Sequence, residues 1–188
     1  MGEMVEFKSN GGTCTGYLAG TGGPGVIVIQ EWWGLVPHIT DIADRFAAEG
    51  FVALAPDMYH GEMTDEPDMA GKLLMSMNLA TAGKDLSGAV DLLQERTGRT
   101  KVGVTGFCMG GGLALMAACL RPDAIAAAAP TLSESISECI GMRTICVAFV
   151  IVFSSSPSRS LPINRATRSD GLCCISAISR AATSGVSA

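Results

Sequence analysis

No stretch of the 188-residue chain is apolar over the roughly 18 to 20 residues needed to cross a bilayer as a helix, so no membrane partner is expected. The opening MGEMVEFKSN has two acids and no apolar core of the kind a secretory signal carries. Glu6 stands where an N-myristoylation motif needs Ser or Thr, and a cytoplasmic location is the expectation. Clusters of basic residues are missing too. With 13 Lys and Arg against 18 Asp and Glu the formal net charge is −5, which argues against a nucleic-acid partner. The seven cysteines are an odd number without CxxC spacing, so neither a disulfide framework nor a zinc site is indicated and reduced thiols are expected. Gly103, Gly106 and Gly110 do not form GxGxxG, and no GxxxxGK[ST] occurs; no cofactor is expected.

What is present is apolar. Hydrophobic residues make up 48% and charged residues 16%, which excludes global disorder, and the length suits one domain rather than two. Residues 3–9 and 13–19, joined at Asn10-Gly11-Gly12, predict a β-hairpin. Buried strands are predicted at 25–29 (GVIVI), 51–55, 101–107 and 124–129. Between them helices are predicted over 39–49, 69–78, 84–96 and 110–120, the last with Leu113, Met116, Ala117 and Leu120 facing inward. Strands alternating with helices give an α/β class: a mostly parallel sheet covered by helices on both faces, three layers in all.

The character changes at about Thr131. Residues 1–130 carry 8 basic against 15 acidic side chains, whereas residues 131–188 carry 5 against 3. The later segment holds 13 serines, four cysteines and five arginines, and no Lys, His, Trp or Tyr. Ile145–Phe153 could supply one buried strand, while SSSPSRSLPINRATRSDG has no usable period. The expectation is a core over 1–130 and an atypical Ser/Arg/Cys-rich tail over 131–188, disordered or read from another frame, leaving the sheet incomplete at its C-terminal edge.

Gly106-Phe107-Cys108-Met109-Gly110 lies directly after a predicted strand and directly before a predicted helix. This is the Gly-x-nucleophile-x-Gly elbow with cysteine as nucleophile. Such a turn is strained, so its flanking glycines must let backbone pass close by. At the helix N-terminus the dipole favours a thiolate, and the N–H of Met109 can face a developing oxyanion. The competing reading is a buried structural cysteine beside a tight turn. A second signal is Gln30-Glu31-Trp32-Trp33-Gly34 after the GVIVI strand. The loop there supplies the other oxyanion donor in α/β hydrolases. Glu31 could instead be a surface acid, and the tryptophans either core or pocket wall.

QEWWG at 30–34, PH at 37–38, FVALAPDMYHGE at 51–62 and VGVTGFCMGGGLAL at 102–115 together resemble the dienelactone hydrolase family, over about residues 3–130. The resemblance implies an α/β-hydrolase fold and hydrolysis of small esters or lactones by a Cys-His-Asp triad. It makes Cys108 the nucleophile and Glu31 the acid that holds the resting thiol and helps it ionise. The backbone N–H groups of Trp32 and Met109 become the oxyanion hole. The triad's acid and base belong downstream of the elbow, where this chain has Asp170, without a strand before it, and no histidine. His38 and His60 lie upstream, at what read as loop positions. The expectation is therefore a hydrolase whose activity is in doubt, a monomer or weak homo-oligomer acting on a small ester or lactone. The alternatives are an inactive α/β-hydrolase-fold binding protein and a non-functional fragment.

Overall fold

The computed structural model describes residues 2–9, 11–131 and the backbone of 151–152. A hairpin of β1 (Glu3–Ser9) and β2 (Gly12–Ala19) leads, with Glu3 opposite Leu18 and Ser9 opposite Gly12. Then follow β3 (Gly25–Ile29), α1 (Pro37–Ala48), β4 (Val52–Pro56), α2 (Pro67–Ser76), α3 (Leu79–Thr97), β5 (Val102–Phe107), α4 (Met109–Leu120), β6 (Ile125–Thr131) and β7 (Ile151–Val152). The sheet order is β1-β2-β4-β3-β5-β6-β7. Its central strands β4, β3, β5 and β6 run parallel, with antiparallel pairs at both edges.

Alternation along the parallel strands sorts side chains into two cores. Ile27 and Ile29 of β3, Val52 and Leu54 of β4, and Val102 and Val104 of β5 meet α3 and α4 on one face. Val26 and Val28, Ala53 and Ala55 meet Ile39, Ala43 and Phe46 of α1 on the other. Every residue of β3 and β4 is buried, as a strand covered on both faces requires. The three layers read from the sequence are thus present.

Local chemistry sets the helix limits. Pro37 and Pro67 open α1 and α2 at first-turn positions where no amide donor is needed. His38 therefore sits in the first turn of α1, exposed, rather than in a loop. The Asn78 carboxamide caps α3 by accepting from Ala80 N and Thr81 N, and Gly98, at φ 65°, ends it. On α4, Leu113 and Ala117 face inward as expected, but Leu120 is 53% exposed. The helix is apolar almost all round, so its period does not define one face. Among the described residues no helix is long and apolar enough to cross a membrane. Apart from the backbone pairing of Ile151–Val152 with Ala127 and Ala128, the tail expected over 132–188, Asp170 included, lies outside the described residues.

Candidate active site

Cys108 is the hinge between β5 and α4. Its backbone adopts φ 54°, ψ −115°, and among the described residues only His60 is another non-glycine with positive φ. Such a conformation costs on the order of 1–3 kcal/mol and persists only where neighbours enforce it. Here Cys108 N donates to Thr131 O at 2.8 Å, and Gly111 N donates to Cys108 O at 3.0 Å. The two flanking glycines do different jobs. A Cβ on Gly106 would land on the carbonyl of Gly110, so Gly106 lets the turn close upon itself. A Cβ on Gly110 would come within 2.6 Å of Ile29 O and nearer still to Gln30 O. Gly110 thus lets α4 start against the end of β3.

This close approach places the second predicted signal. β3 and β5 pair in parallel with Ile29 opposite Gly106. Glu31 and Cys108 each lie two residues beyond that pair, at the carboxyl ends of neighbouring strands. Open α/β sheets bind ligands at that end. Glu31 and Cys108 are both half-buried. Met109 opens α4, so its N–H is one of the first-turn donors without an intrahelical acceptor. Trp32 and Trp33 are half-buried and meet edge to face, ring centroids 5.0 Å apart. Neither belongs to the fully buried core.

The loop after β4 is stitched to this region. The Asp57 carboxylate accepts from Tyr59 N at 3.1 Å and Gly61 N at 2.6 Å. Buried Gln30 accepts from Met58 N through Oε1 at 3.2 Å. Thr64 N donates to Trp33 O at 3.0 Å, and Gly34, at φ 98°, leaves room for Glu62 O. These bonds hold Tyr59 beside the elbow, where its hydroxyl donates to Met109 Sδ at 3.3 Å. Burial, and then the neighbouring Cys108, push the Tyr59 phenol up to about 12. It is therefore a neutral donor at ordinary pH.

Sequence reasoning missed one group. His60 Nε2 meets Asp85 Oδ2 at 3.0 Å, and Ser9 Oγ donates to Asp85 Oδ1. Asp85 is buried on α3 in line with Ala82, Ala89 and Leu93. An acid on that apolar stripe was the available signal. A cleft of about 420 Å³ borders this group and is lined by Tyr59, His60, Met77, Thr81 and Asp85 among others. A slightly larger hollow of about 440 Å³, lined by Gly20, Thr21, Val52 and Arg96 among others, lies at the opposite ends of the parallel strands, away from Cys108.

Known proteins resemble this chain in sequence and in fold. A model of the dienelactone hydrolase family matches residues 15–152. Protein usf of Aquifex pyrophilus is 50% identical over 140 residues, covering 69% of this chain and 61% of its own length. A protein of Aquifex aeolicus, named provisionally as a carboxymethylenebutenolidase, is 43% identical with the same coverage. Among solved structures, a dienelactone hydrolase-like promiscuous phosphotriesterase from metagenomic libraries superposes with TM-score 0.60 at 26% identity, over 70% of this chain and 60% of that one. The chain spans about three-fifths of the length of these curated relatives.

Proposed function

The chain belongs to the dienelactone hydrolase family, and from that premise we propose that it cleaves small esters or lactones with Cys108 as nucleophile. The observation that carries this reading is the backbone of Cys108: a positive-φ residue between strand and helix, flanked by two glycines that exclude a Cβ. A structural cysteine needs no such strain.

In the proposed reaction Glu31 holds the resting thiol and takes its proton. The Cys108 sulfur then attacks the acyl carbon, forming the C–S bond while the carbonyl electrons move onto oxygen. Trp32 N–H and Met109 N–H receive that oxyanion, a contribution of about 3–4 kcal/mol per donor in comparable sites. Collapse breaks the acyl C–O bond, and the alkoxide oxygen takes the proton held by Glu31; from an ester it departs as an alcohol, from a lactone it stays on the acyl group as a hydroxyl. Water must then cleave the thioester, and this step needs a base. Residues 131–188 contain no histidine, and His60 is engaged with Asp85. For this chain we therefore expect fast acylation and slow deacylation.

The absence of histidine from residues 131–188 favours a second reading, an α/β-hydrolase fold kept for binding alone. Hydrolysis of a small chromogenic ester by the chain and by Cys108→Ala separates the two. A stoichiometric burst that the variant lacks supports the hydrolase; identical traces support the binder.

A further inference from the structure

We propose that Cys14, His60 and Asp85 form a binding site for a zinc-like divalent cation, distinct from the elbow and independent of the hydrolase reading. One donor atom from each residue lies within 4.8 Å of the others. The donors come from three separate elements: Cys14 from β2, His60 from the loop after β4, and Asp85 from α3. That is why no CxxC or similar spacing announces them in the sequence.

The donor set selects the ion. Thiolate, imidazole and carboxylate together suit zinc, whereas magnesium and calcium take oxygen ligands. Bond lengths at zinc place neighbouring ligand atoms of a tetrahedral site roughly 3.2–3.7 Å apart. The His60–Asp85 pair stands at 3.0 Å and the sulfur within 4.8 Å. Closing the set therefore takes an inward shift of the sulfur of no more than about 1.5 Å.

The surroundings fit as well. Ser9 Oγ donates to Asp85 Oδ1 and leaves Oδ2 turned toward His60, as an outer-shell partner orients a ligating carboxylate. Cys14 and Asp85 are buried, while the His60 side chain is 45% exposed and borders the 420 Å³ cleft. That side gives the ion its entry and leaves a fourth position for water. Without an ion the thiol donates to the carbonyls of Thr15 and Asp57 at 3.3 and 3.6 Å; binding releases that proton to solvent and leaves the thiolate on the metal. Strand spacing puts the site, at the end of β4, about 10 Å from the elbow at the end of β5.

The test is a cobalt titration of the full chain, reduced and metal-free. The expected result is one equivalent of Co²⁺ giving a thiolate-to-metal charge-transfer band and tetrahedral d–d absorption, both displaced by one equivalent of Zn²⁺. Cys108→Ala should keep the band, Cys14→Ser should abolish it, and His60→Gln should weaken binding at least tenfold. Absence of the band, or its survival in Cys14→Ser, overturns the site. Should Cys14→Ser fail to melt cooperatively, His60→Gln decides, and unchanged affinity in that variant likewise overturns it.

Discussion

Gly110→Ala tests how the sheet holds the elbow. The added methyl carbon would stand 2.6 Å from Ile29 O and closer to Gln30 O, where carbon and oxygen ordinarily keep about 3.3 Å apart. Relief requires the first turn of α4 to retreat by roughly 1 Å, because Ile29 ends a fully buried strand and Gln30, next in the chain, is itself buried. Overpacking of this kind costs about 1–3 kcal/mol, which for a domain of this size lowers Tm by roughly 2–12 °C. The same retreat carries the Met109 N–H away from the developing oxyanion, and a misplacement of about 1 Å slows acylation about 100-fold. Gly112 is the matched control. It lies in the same helix, is exposed, and a Cβ there meets nothing within 4 Å. Gly112→Ala should therefore stabilise the helix by about 0.5–1 kcal/mol, with the burst unchanged. Stopped-flow bursts and thermal melts of the three proteins read both effects. Gly110→Ala with the wild-type burst and Tm would refute the reasoning.

Other outcomes follow from the same structure. The sequence has two tyrosines, and burial raises both phenols, Tyr17 above its ordinary 10.0 and Tyr59 to about 12. Tyrosinate absorbance should therefore appear later in the folded chain than in denaturant. Above pH 10.0 the unfolded chain gives up phenolic protons that the folded chain keeps, so stability should fall as pH rises through that window; urea midpoints that do not fall there would contradict the burial of Tyr59. Asn78→Ala removes the acceptor of two amides at 2.9 and 3.1 Å, and Tm should drop by the few degrees that a loss of about 1 kcal/mol produces. We propose further that residues 131–188 are an atypical tail read from another frame; a single clean frame across the codons for 125–140 in independent reads would refute this.

The elbow was legible because it is local: strand, Gly-x-Cys-x-Gly and helix are contiguous, and each choice agrees with its neighbours. The buried strands were legible for the same reason, as short runs such as GVIVI have no amphipathic alternative. Where the reading missed, the cause was a competing local rule or a distant contact. His38 reads as a loop residue in the sequence, but Pro37 before it starts α1. Leu120 is expected inward from its spacing but is exposed, because α4 has no polar face to fix its rotation. Ser9 and Asp85 are 76 positions apart in the chain, and His60 and Asp85 are 25 apart. No periodicity links them, and only the folding of the hairpin and loop against α3 brings them together.

The most direct test of the central claim is the intact mass of the chain after mixing with a small chromogenic ester. One added acyl group, a thioester on Cys108, is expected to form with the burst, to persist, and to be absent from Cys108→Ala. An acyl group on another residue, or release of product that continues undiminished in Cys108→Ala, would contradict it.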